Sequence, residues 1–183
     1  MTPADVEAEF DRTGRLSPRA ISALRLALTS TNPYEAISVA ADTWCIELSM
    51  EIAQCLSSTD TMTRWNAAAT LFTRFKSKEH SDLCMFSANN EHDELVRVVA
   101  LVGLGEILPL MENLEIQNSI ASYLYKVFSD ESLYPELRGA AYEGMLAAIC
   151  VPVQDRPPAN RLIAIAGDVD EELVDKFCGR FEL

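Results

Sequence analysis

Glycine and aromatic residues are scarce, with seven glycines and 8% Phe, Trp and Tyr in 183 residues. Packed β-sheets draw on aromatic and β-branched side chains and on glycine at their turns. Their shortage, beside recurrent alanine and leucine, favours helices. Histidine is rarer still: His80 and His92 stand alone, and twelve positions separate them. Two ligands share a helix face at spacings of about three to five, so no metal site is expected. The five cysteines, Cys45, Cys55, Cys84, Cys150 and Cys178, form no C-x-x-C pair. They read as reduced, mostly small buried residues rather than a zinc knuckle or redox motif. No apolar run reaches the roughly 18 residues of a membrane span. The opening MTPADVEAEFDRTGR is charged from its fifth residue and lacks a signal-peptide core. These absences predict a cytoplasmic protein, and the length suits a single domain over 1–183.

Basic residues are also in deficit, with 15 Lys and Arg against 28 Asp and Glu, for a net charge of −13. Binding nucleic acid or an anionic membrane needs the opposite balance, because phosphates are neutralised by a surplus of Lys and Arg. The excess is uneven: residues 1–76 hold 9 acids and 7 bases, 77–136 hold 11 and 3, and 137–183 hold 8 and 5. Most of the uncompensated charge therefore falls in the middle third.

What the chain has in quantity is helical periodicity. Ser17 can cap and Pro18 open a helix in SPRAISALRLALTS, with Ile21, Leu24 and Leu28 on one face. A long amphipathic helix is predicted from YEAISVAADTWCIELSMEIAQCL, its stripe running through Ile37, Ala40, Ala41, Trp44, Leu48, Ile52 and Leu56. Short polar breaks follow at 57–60, 76–78, 89–91, near Pro109 and at 129–132, with a proline-rich break at 151–158. Trp44 and Trp65 are assigned to the core, while at least one of Tyr123 and Tyr125 should face solvent or a partner, and Tyr134 could edge a surface. Near the C-terminus, Leu162 to Ala166 could be strand or helix, and Asp168 with Glu171 reads as the capping box of a last helix.

Anchoring on Arg64, Arg97 and Arg138 aligns TRWNAAATLFTRF, VRVVALVGLGEIL and LRGAAYEGMLAAI. Alanine stands three places on (Ala67, Ala100, Ala141), a large apolar residue seven on (Leu71, Leu104, Met145) and another eleven on (Phe75, Leu108, Ile149). These offsets share one helix face. Ala67, Ala100, Gly103, Gly139, Ala140 and Gly144 are small enough to let helices approach closely.

This pattern, above all DELVRVVALVGLGEI and YPELRGAAYEGMLAAI, resembles the second helix of HEAT-like repeats. The resemblance spans about 34–150 and implies pairs 34–56 with 60–76, 79–89 with 92–108, and 112–129 with 133–150. It implies an all-α fold: a short right-handed α-solenoid of antiparallel helix pairs, capped by residues 1–30 and followed by a C-terminal extension over 159–183. In such repeats the aligned arginines are structural ladder residues.

Catalytic patterns do not assemble. Gly103-Leu104-Gly105 would need a third glycine at position 108 to bind a dinucleotide, but Leu108 and then Pro109 stand there. Asp168-x-Asp170-x-Glu172 opens like a calcium loop but has Leu173 and Gly179 where glycine and glutamate belong. Cys84 could pair with His80, oriented by Asp82 or Glu79. The simpler reading of EHSDLCMF is an amphipathic helix with Leu83, Cys84 and Phe86 inward and His80 outward. No catalytic residue, metal or cofactor is therefore predicted, and the chain reads as a binding module rather than an enzyme.

The expected contact surface is acidic: Glu91, Asp93, Glu94, Glu112, Glu115, Asp130, Glu131 and Glu136, placed at helix starts and breaks along one end of the repeats. Charge of this sign steers a basic protein partner. Among small HEAT-like proteins, the resemblance, size and charge imply a bacterial immunity protein that neutralises a basic toxin. The alternatives are an adaptor or scaffold subunit with an apolar groove, or a HEAT-like enzyme such as a lyase.

Overall fold

The computed structural model describes residues 1–156 and 169–183, and every regular element among them is helical. The chain resolves into two compact units, Met1–Ser77 and Lys78–Leu183. The Leu162 to Ala166 run and Asp168 lie outside the described residues.

The first unit holds α1 (Pro3–Thr13), α2 (Pro18–Leu28), α3 (Tyr34–Asp42), α4 (Ser49–Gln54) and α5 (Thr61–Ala68), the last prolonged by a π-helical stretch, Ala69–Arg74. Thr2, Ser17 and Asp60 each accept a backbone N–H of the helix they open, satisfying donors that have no partner within the helix. Pro18 follows its cap as the sequence predicts. Val6, Ala20, Leu24, Ile37, Leu48, Ile52, Leu71 and Phe72 are buried within this unit.

The predicted long helix over 34–56 is not continuous. It stops after Asp42, passes through a 3-10 turn at Ile46–Leu48 and restarts as the short α4. Trp44 stands in the left-handed region (φ 53°), and the Cys45 and Trp44 N–H groups reach back to the carbonyls of Ala40 and Ala41. This is a Schellman stop, which glycine usually occupies. Because tryptophan fills that position, the local sequence carries no stop signal. The stop also turns the indole outward: Trp44 is 59% exposed, not core. Its ring lies 5.3 Å from the Arg74 guanidinium and 6.3 Å from Phe75. Trp65 is half-buried.

The second unit holds α6 (Ser81–Asn90), α7 (Glu94–Ile107), α8 (Leu114–Ser129), α9 (Pro135–Ala148) and α10 (Glu171–Phe181). α6 packs on α7, α8 packs on α9, and the most extensive contact joins α7 to α9. At its centre a Cβ on Gly144 would stand 2.6 Å from the Leu101 carbonyl oxygen, and one on Gly105 would collide with the Gly144 backbone. No larger residue fits there without moving a helix.

All nine apolar positions of the aligned segments are buried: Ala67, Leu71 and Phe75, Ala100, Leu104 and Leu108, Ala141, Met145 and Ile149. The arginines have a shared task. Arg64 donates to the carbonyls of Ser58 (3.0 Å) and Thr59, Arg97 to Ala88 (3.2 Å) and Arg138 to Phe128 (2.9 Å). Each satisfies carbonyls near the end of the preceding helical segment, which have no partner within it.

α10 is opened by Asp170, whose carboxylate accepts the N–H groups of Glu172 and Leu173, with Glu171 as the first helical residue. The cap therefore differs from the predicted Asp168. Docking needs the last helix at that position: the Tyr142 hydroxyl accepts the Asp170 N–H at 2.9 Å, and Val169, Leu173 and Val174 cover Tyr142 and Leu146 beside Phe128.

Candidate functional site

The eight acids of the expected contact surface do not share one end of α8. Glu112 and Glu115 flank the start of α8, whereas Asp130 and Glu131 follow its end. α8 is sixteen residues long, about 24 Å, so the set does not lie along one end. Several also have local tasks. Asp93 caps α7 by accepting the Leu95 N–H, and Glu91 accepts the Asp93 N–H. Asp130 accepts the Ser132 hydroxyl and N–H, which hold its carboxyl below the usual range. Glu112 is paired with Lys78 at 3.0 Å, and that bond and charge lower its carboxyl. Glu94, Glu115, Glu131 and Glu136 are exposed, and their carboxylates have no ion-pair or hydrogen-bond partner among the described residues.

Glu115 borders a feature the sequence did not reveal. A groove of about 370 Å³ runs between the first turns of α6 and α8, lined by Ser81, Asp82, Met85, Glu115, Ile116, Ser119 and Ile120. Met85, Ile116 and Ile120 supply its apolar surface, with Ile120 buried and Ile116 42% exposed. Asp82 stands on one wall and Glu115 on the other, both exposed. The Tyr123 hydroxyl donates to the Ala88 carbonyl at 3.0 Å and ties α8 to α6 beyond the groove. Before the first turns, Lys78 and Glu112 tie the two segments again. The two cross-links bracket the groove. The sequence offers Asp82 only as an orienting group, and no local pattern pairs it with Glu115, because the two lie 33 positions apart.

The catalytic pairing tested in the sequence is not formed. The Cys84 thiol is fully buried, donates to the Ala100 carbonyl at 3.2 Å, and is pushed well above its ordinary value by burial. A thiolate is disfavoured there. Burial, and secondarily Glu47, push Cys45 up to about 11. His80 is 6% exposed rather than outward, while Phe86 is 64% and Leu83 39% exposed rather than inward. The reason is that α6 turns Cys84, Ser87 and Ala88 toward α7, leaving Leu83 and Phe86 on its outer face. Gly103 and Gly105 lie inside α7 and form no phosphate loop.

One buried charged group lies elsewhere. Arg156 and Glu106 pair with side chains almost wholly covered, and Arg156 also donates to the Val151 carbonyl. Glu143 stands near them with Oε2 buried and no hydrogen-bond partner. Burial raises its carboxyl, Arg156 opposes the rise and Glu106 adds to it. No three His, Cys, Asp or Glu side chains among the described residues are placed to hold a metal ion.

The structure thus defines an all-helical protein whose second unit carries 19 acids against 8 bases. No family model, no curated protein and no solved structure matches the chain.

Proposed function

We propose that this chain is a non-catalytic, acidic binding module for a basic protein, built from HEAT-like helix pairs. The observation that carries the reading is the second unit's surplus of acid, with Asp82, Glu94, Glu115, Glu131 and Glu136 left unneutralised at its surface. Uncompensated charge of one sign speeds encounter with a partner of the other sign and rejects like-charged competitors. The HEAT-like reading is supported by the common register of Arg64, Arg97 and Arg138, each bonded to the preceding segment, and by the glycine contact between α7 and α9. With this size and charge, the role we assign is that of an immunity protein that neutralises a basic bacterial toxin.

The test is capture by immobilised chain at about 50 mM and about 500 mM NaCl, across which exposed charges become strongly screened. A basic protein should be retained at low salt and largely released at high salt. Expressed alone it should arrest growth, and co-expression of this chain should restore it. Retention of only neutral or acidic proteins, indifferent to salt, would instead favour an adaptor, a reading supported by the apolar groove and the exposed Leu83 and Phe86.

A further inference from the structure

We infer that the groove between α6 and α8 receives a cationic amphipathic helix of the partner protein. This rests on the reading of the chain as an acidic binding module. Three observations specify the occupant. Asp82 and Glu115 face the groove from opposite walls without neutralising partners, so a segment lying between them is favoured if it carries Lys or Arg on both flanks. Met85, Ile116 and Ile120 between the walls offer apolar contact along the middle. Phe86, one turn beyond Asp82 on α6 and 64% exposed, adds an apolar edge on that wall. A monovalent or small polyamine cation would use the walls and leave this surface uncovered. An acidic or purely apolar segment would strand the two carboxylates against low-dielectric contact.

The length of the groove sets the register. From Ser81 to Ala88 on α6, where the Tyr123 bond closes it, is about 10 Å of helix rise, or two turns. The occupant therefore presents two apolar side chains one turn apart, at i and i+4, with a basic residue on each side of that stripe. The brackets at Lys78–Glu112 and Tyr123–Ala88 hold the walls apart before binding, which limits the ordering cost of docking.

The probe is a synthetic amphipathic helix of Leu and Lys, about 14 residues long and capped at both ends. It is titrated into the full-length protein while backbone amide resonances are followed. Saturable binding should shift the amides of 81–86 and 114–120. Replacing both wall acids (Asp82→Lys with Glu115→Lys) should weaken affinity at least about tenfold, whereas the charge-matched pair Glu131→Lys with Glu136→Lys should change it less than about twofold. Ile116→Ser should weaken binding without altering its salt dependence. The inference is overturned if the two charge-reversed pairs lose affinity equally, if the shifts map elsewhere, if the Glu-for-Lys peptide or spermine competes as well, or if the groove is covered by a second copy in solution. Binding that depends on Glu131 and Glu136 would sink the groove and leave the acidic-module reading standing. Failure of the salt-sensitive capture would remove that reading itself.

Discussion

At the scale of single residues, the tightest constraint is the glycine contact between α7 and α9. Any Cβ at Gly105 or Gly144 meets backbone, which cannot move aside as a flexible side chain can. Gly144→Ala should destabilise the protein by on the order of 3 kcal/mol, and Gly105→Ala by at least as much, read from urea unfolding midpoints. Gly103 lies in the same helix and is equally small, but spacing alone does not show which of these small residues meets backbone. Glu143 makes a second residue-scale prediction. Its carboxyl is raised above 4.5 by burial, so the folded state holds the proton more tightly than the unfolded chain. Its contribution is fully present below the unfolded value and is lost as pH rises through the folded one. Glu143→Met, which leaves Arg156 paired with Glu106, should therefore flatten the fall in stability as pH rises from 4.5 toward neutrality. An unchanged slope in urea midpoints across that range would refute the assignment.

At the scale of elements, most helix starts were legible and some stops were not. Caps such as Ser17, and proline at a first helical position, announce themselves locally because the side chain bonds only a few residues away. The stops of α3 and α9 use left-handed Trp44 and Cys150, whose N–H groups and successors close back onto the helix. Neither residue is a recognised terminator, so the periodicity runs straight through the first. Cys150 is exposed, and Cys150→Gly should stabilise the fold by about 1 kcal/mol by relieving the left-handed strain. Trp44→Gly relieves the same strain but loses the Arg74 and Phe75 ring contacts, worth about 0.5 to 1 kcal/mol, so it should be close to neutral. Thermal midpoints of the two variants would separate these expectations. The same scale explains α6: a short helix with little amphipathic contrast in its sequence left the sides of Leu83 and Phe86 to be decided by packing on α7.

For the whole molecule, the governing quantity is a net charge of −13, of which residues 78–183 contribute −11. Like charges at this density repel in the folded state more than in the expanded chain. Raising NaCl from about 10 to about 200 mM should therefore raise the thermal midpoint by a few degrees, while weakening capture of a basic partner. A midpoint that falls with salt would mean that paired charges outweigh the excess. The helical class, the sign of the charge and the buried register of the aligned segments were fixed by composition and periodicity, because both express which atoms must leave water and which cannot. The placing of Glu112 and Glu115 at the opposite end of α8 from Asp130 and Glu131, the local bonds of Asp93, Glu112 and Asp130, and the meeting of Asp82 with Glu115 were decided only by tertiary structure. Those facts depend on which helices become neighbours, and side chains 33 positions apart leave no trace of their approach in the local sequence.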